Sequence, residues 1–184
     1  MIRSITLYPD PVLRVKCARV TEVTDEIRSL SQDLIESMID ADGVGLAAPQ
    51  IGVPVQLAVV DVSHSAESIS YLRVGGADAM LESIMPLVFI NPELHLNFPL
   101  ETEEEGCLSF PDLRARITRP GQLKATLHTL DGRSLVLETD GLLARAIQHE
   151  TDHLNGVLFI DRMNAAAKAA HRGRLRRMKA EARA

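Results

Sequence analysis

The chain contains no tryptophan, and aromatic residues make up only 3% of its 184 positions. That scarcity excludes the aromatic stacking platform on which single-stranded nucleic acid is usually held. It also means that the core must be built from Leu, Ile, Val, Ala and Met. Cysteine occurs twice, at Cys17 and Cys107. Two cysteines are too few for a disulfide scaffold, and a chain of this length needs none to bury its core. No run approaches the roughly 20 apolar residues of a membrane helix, and Met1-Ile2-Arg3-Ser4 does not open into an apolar stretch of signal length. The expected setting is cytoplasmic, with reduced thiols and neither a membrane nor DNA as partner.

Acidic and basic residues are unevenly spread. The formal net charge is −5. From Asn164 to Ala184, however, seven Lys/Arg (Lys168, Arg172, Arg174, Arg176, Arg177, Lys179, Arg183) stand against Glu181 alone, while the rest carries 13 basic and 24 acidic side chains. The 164–184 tail reads either as a solvated helix or as a contact for a polyanion.

Hydrophobic periodicity predicts two helices, and an Ala- and Arg-rich composition a third. Ile27, Leu30, Leu34, Ile35, Met38 and Ile39 recur at helical spacing over about 25–40, with Thr24 as cap. Leu142, Leu143, Ala146, Ile147 and Leu154 mark a second helix, from a cap at Asp140 to about Asn155, with Gly156 as its left-handed stop. A third starts near Asn164. Strands are expected at 56–61, 87–90, 123–129 and 134–138, and Asp131-Gly132 signals a hairpin between the last two. Residues 63–85 lack a period and read as a surface excursion. Gly43–Gln50 suits neither a long helix nor a regular central strand. The expected class is α+β: antiparallel strands packed around a central helix, with an N-terminal and a C-terminal helix, in a single domain spanning 1–184.

The chemistry concentrates in His149-Glu150-Thr151-Asp152-His153. Histidines at i and i+4 share one helix face, so both imidazoles can meet one ion at about 2.0–2.1 Å. Glu150 is rotated away from that line and suits a general base acting on a water that the ion has acidified. A merely charged helix face is the alternative, but the surrounding helix is apolar, which makes unpartnered polar groups costly. A third ligand is needed. The longer motif that supplies a histidine six residues on has Phe159 there instead, and the only later Glu is Glu181. The ligand is therefore expected upstream, in Glu105-Gly106-Cys107-Leu108-Ser109. Gly43–Gln50 is open to two readings: a tight packing turn, or exposed backbone for an extended substrate with Gln50 donating to an oxyanion.

These three segments, Gly43-Val44-Gly45-Leu46-Ala47-Ala48-Pro49-Gln50, Glu105–Ser109 and Gln148–Gly156, resemble in order the three signature motifs of peptide deformylases. Pro9–Arg14 resembles the family as well, and the likeness spans about residues 4–163. It implies hydrolytic removal of the N-formyl group from the N-terminal formyl-methionine of nascent peptides, with release of formate. It implies Cys107, His149 and His153 as ligands of Fe(II), often replaced by zinc or nickel on purification. Glu150 is implied to move the proton, Gln50 and the Leu108 N–H to hold the oxyanion, and Val44, Gly45 and Arg114 to bind the peptide. The basic tail would then meet the ribosome, and its deletion would leave activity on a short formyl peptide. Residues 64–85, Phe110 and Asp112 depart from the compact pattern. An endopeptidase using the same helix motif lacks its downstream ligand here, and an inert binding protein would not need Glu150.

Overall fold

The computed structural model describes residues 1–182, so Arg183 of the basic tail lies outside the described residues. Helix α1 runs Asp25–Asp40, and Thr24 accepts a hydrogen bond from the Ile27 N–H at 3.4 Å, as its capping position predicts. Such a cap is worth about 1 kcal/mol. Leu34 and Met38 of α1 are buried against the sheet's Leu46, Leu57 and Val59.

Among the described residues nine strands follow: β1 Gly45–Ala47, β2 Leu57–Val60, β3 Leu72–Val74, β4 Ala77–Asp78, β5 Leu87–His95, β6 Leu100–Gly106, β7 Arg114–Pro120, β8 Gln122–His128 and β9 Ser134–Asp140. Seven form one antiparallel sheet in the order β1-β2-β5-β8-β9-β3-β4, and β6 pairs β7 in a separate hairpin. The β8–β9 hairpin turns at Asp131-Gly132 as predicted, with Gly132 left-handed at φ 82°. Gly43–Gln50 supplies β1 at the sheet's edge, in keeping with the exclusion of a central strand.

Two regions go beyond the expectation. Residues 63–85 are a surface excursion that nonetheless extends the sheet, because Gly75 and Gly76, both at positive φ, let β3 fold back onto β4 while β3 pairs β9. The β6–β7 hairpin was not foreseen. Strand β6 reads Leu-Glu-Thr-Glu-Glu-Glu-Gly, with poor intrinsic strand preference and no apolar alternation. Its register places Glu104 opposite Arg116, and the charge pairing across the strands is diagonal, Arg114 Nη1 lying 3.4 Å from Glu104.

Helix α2, Gly141–Leu154, lies across the sheet with twelve residues buried. Asp140 occupies its N-cap position but does not cap it. The carboxylate accepts from the Ser70 N–H at 2.7 Å instead, which ties the excursion to the start of the helix. Gly141 is left-handed at φ 56°, and a Cβ there would fall 1.8 Å from the Ser68 carbonyl oxygen, so only glycine fits. Helix α3, Ala165–Glu181, begins at Asn164, whose side chain accepts from the Ala167 N–H at 2.9 Å. A cluster of Leu13, Phe110, Ile117, Phe159 and Met178 joins α3 to β7 and to the segment after Cys107. No helix among the described residues is long and apolar enough to cross a membrane.

Candidate metal centre and active site

Helix α2 sets His149 and His153 one turn apart, with ring centroids separated by 5.0 Å. Strand β6 ends at Gly106 and delivers Cys107 opposite them. The donor atoms of Cys107, His149 and His153 all lie within 4.8 Å of one another, and Cys107 Sγ is 3.3 Å from His153 Nε2. His149 Nδ1 is engaged with Glu105 Oε2 at 3.1 Å, which leaves Nε2 as the free donor. One sulfur and two imidazole nitrogens, pre-oriented in this way, fit a single borderline-soft ion with a position left open.

Glu150 is buried beside this trio, and its Oε2 has no hydrogen-bond partner among the described residues. Burial is the main reason that its pKa is pushed up to about 7. A Cβ on Gly45 of the adjacent strand would lie 2.4 Å from Glu150 Oε1, so the glycine leaves the carboxylate room in its present position. Gln50 is locked by both ends of its amide. Its Oε1 accepts from the Ala47 N–H at 2.9 Å, while its Nε2 donates to Ser109 Oγ at 3.2 Å and lies 3.6 Å from Cys107 Sγ.

All of the residues singled out from sequence converge here. Val44, Gly45, Gln50, Cys107, Leu108, Arg114, His149 and Glu150 line one open cleft of about 500 Å³, and His153 lies behind Cys107. Arg114 stands at the mouth, mostly exposed, with Nη1 3.4 Å from Glu104.

A buried ionic network behind the site went unnoticed in the sequence. Glu105 receives Arg119 on both oxygens, at 2.6 and 3.0 Å, and Arg145 at 2.7 Å. Arg119 also reaches Asp152 at 2.7 Å, and Asp152 is gripped by Arg162. Burial alone would raise the Glu105 pKa, but hydrogen bonds from His149 and Arg119 outweigh it and hold the carboxyl well below the usual range. The two histidines are driven apart. Burial opposes the charged form of His149, yet bonding to Cys107 and Glu105 raises its pKa; burial lowers that of His153, and the charge on His149 adds to this. Glu105 and Asp152 lie inside the recognised motifs, so their acidity was a visible signal. Arg119 and Arg145 carried none, since their pairing depends on the unforeseen hairpin.

A thiolate and two imidazoles beside a buried carboxylate, set in a cleft at a sheet edge, define a metal-dependent hydrolase. The family model described as Polypeptide deformylase matches residues 2–169. The peptide deformylase of Methylacidiphilum infernorum is 45% identical over 97% of this chain and 94% of its own. That of Agrobacterium fabrum is 43% identical over 89% and 88%. Among solved structures, the Legionella pneumophila peptide deformylase superposes with a TM-score of 0.79 at 32% identity, covering 100% of this chain and 99% of its own. The Synechococcus elongatus enzyme in complex with actinonin gives 0.78 at 38%, covering 92% and 86%. The chain belongs to the peptide deformylase family, metal-dependent hydrolases that remove the N-formyl group from newly made polypeptides.

Proposed function

We propose that residues 1–184 form one catalytic domain in which Cys107, His149 and His153 hold the ion, natively Fe(II), with zinc or nickel able to take its place. The mixed sulfur and nitrogen donor set supports this reading. When bound, the ion supplies Lewis acidity and brings the pKa of the attacking water to about 7.

The observation that carries the mechanism is Glu150, a buried carboxylate with one oxygen unpartnered and a pKa near 7. A base so poised takes the proton from water as the formyl carbon is attacked, then returns it to the departing amine nitrogen. The C–N bond breaks, and formate and a free α-amine result. Gln50 Nε2 and the Leu108 N–H donate to the oxygen that gains charge, and the Ala47 N–H keeps the Gln50 amide turned the right way. Val44 and Gly45 pair with the extended backbone of the formyl-methionyl peptide, and Arg114 meets it at the cleft mouth. The exposed face of α3, with Lys168, Arg172, Arg176 and Arg177, suits contact with ribosomal RNA near the emerging chain, in the cytoplasm.

Replacing Glu150→Gln is expected to cut formate release from formyl-Met-Ala-Ser by about 10²–10⁴-fold. Metal content, measured on protein purified without air, should be unchanged. Near-normal turnover in that variant, or internal cleavage of a peptide without formate, would overturn the reading.

A further inference from the structure

The basic helix is not an appendage. Along α3 the less exposed residues are Ala167, His171, Arg174, Leu175 and Met178, a stripe at helical spacing. Met178 is buried, and with Leu175 it packs in the cluster that holds Phe110 and Leu113. Phe110, Pro111, Asp112 and Leu113 form one wall of the catalytic cleft. This wall begins three residues after the ligand Cys107.

The wall is a turn under strain. Asp112 sits in the left-handed region at φ 59°, where a residue with a Cβ is held only by its surroundings. On one side Tyr8 supports the turn, stacking on Phe110 with centroids 4.9 Å apart, and its N–H donates to the Ser109 carbonyl at 2.9 Å. On the other side stands α3. Arg174 donates from Nη2 to the Pro111 carbonyl at 3.2 Å and lies 3.5 Å from the Asp112 carboxylate. Among the described residues it is the one side chain hydrogen-bonded to residues 110–113.

We propose that Arg174 is a positioning residue for the peptide-binding wall, so that the C-terminal helix helps set substrate affinity in this chain. The proposal rests on reading the cleft as the formyl-peptide site. His149, His153 and Glu150 are held separately, through α2 and the network around Glu105. Cys107 is anchored to the near end of the turn by the Phe110 N–H at 2.9 Å, so loosening the far end at Pro111 and Asp112 should leave the chemical step intact. The rim ion pair with Asp112 is exposed and contributes little. The hydrogen bond to Pro111 is what fixes the carbonyl and hence the turn.

Steady-state kinetics on formyl-Met-Ala-Ser separate the outcomes. Arg174→Ala should raise KM about three- to tenfold, the worth of one net hydrogen bond, with kcat and metal content unchanged. Arg174→Lys should recover part of the loss, since one donor still reaches the Pro111 carbonyl. An unchanged KM in Arg174→Ala overturns the proposal, as does a fall in kcat that tracks metal loss. The same KM rise in Arg172→Ala, on the outward face, overturns it too by showing a general charge effect. If the unaltered chain releases no formate, the functional reading fails and this inference fails with it.

Discussion

Helices α2 and α3 use charge in opposite ways. Helix α2 buries twelve of its residues, among them Arg145, His149, Glu150, Asp152 and His153. Most of these buried groups have named partners; among the described residues Glu150 Oε2 and His153 Nδ1 do not, and Glu150 is the group proposed to move a proton. In α3 only Met178 is buried, and most of its cations stand in water. The contrast follows from desolvation. A charge inside the protein is tolerated only with well-placed partners, and those partners fix geometry. A charge outside needs none and fixes nothing. Arg174 lies between these regimes, half-buried and bonded to a backbone carbonyl.

The contrast is broken most directly at Arg119, which is 2% exposed. Arg119→Ala leaves Glu105 to Arg145 and His149, and Asp152 to Arg162 alone. Removing one member of a buried ion pair costs about 3–5 kcal/mol, which urea unfolding should register. Because Glu105 holds His149 Nδ1, metal affinity should also fall, by about 10–100-fold. A loss below about 1 kcal/mol would show that the network is not what organises the centre.

Acid provides a gentler probe of the same region. The folded-state pKa of Glu105 is depressed, so its stabilising contribution is present above the unfolded value of about 4.3 and drains away as pH falls through the folded value. Stability should therefore decline on acidification below about pH 4.3, and less steeply in Glu105→Gln, whose starting stability is lower. Parallel unfolding profiles for the two proteins would remove Glu105 from the account.

The smallest effect belongs to the outer face of α3. Arg177→Ala should change unfolding free energy by no more than about 0.5 kcal/mol. A cost comparable with that at Arg119 would erase the distinction between buried and exposed charge.

Much of this was legible in the sequence because it is local. Helical periodicity, the Thr24 cap, the Asp131-Gly132 turn and the i, i+4 histidines each lie within one element. The β6–β7 hairpin was not legible, because its strands are polar and its stability comes from residues opposite one another rather than adjacent in sequence. With the hairpin hidden, Arg119 and Arg145 had no visible partners. The inward stripe of α3 was hidden for a related reason: its residues are Ala, His, Arg, Leu and Met, which do not read as an apolar face. Asp140 shows the converse, a residue in a capping position whose side chain was recruited by a distant segment.

The short edges of the main sheet bear on solubility. An exposed strand edge is a template for pairing with another chain, and long flat edges invite aggregation. Here one border, β4, is only two residues long and both are exposed. The other, β1, is three residues long and is cut off at once by the turn through Pro49. An edge this brief is too small to start a growing β-stack. The same abrupt ending that shapes the cleft therefore also guards the chain against self-assembly.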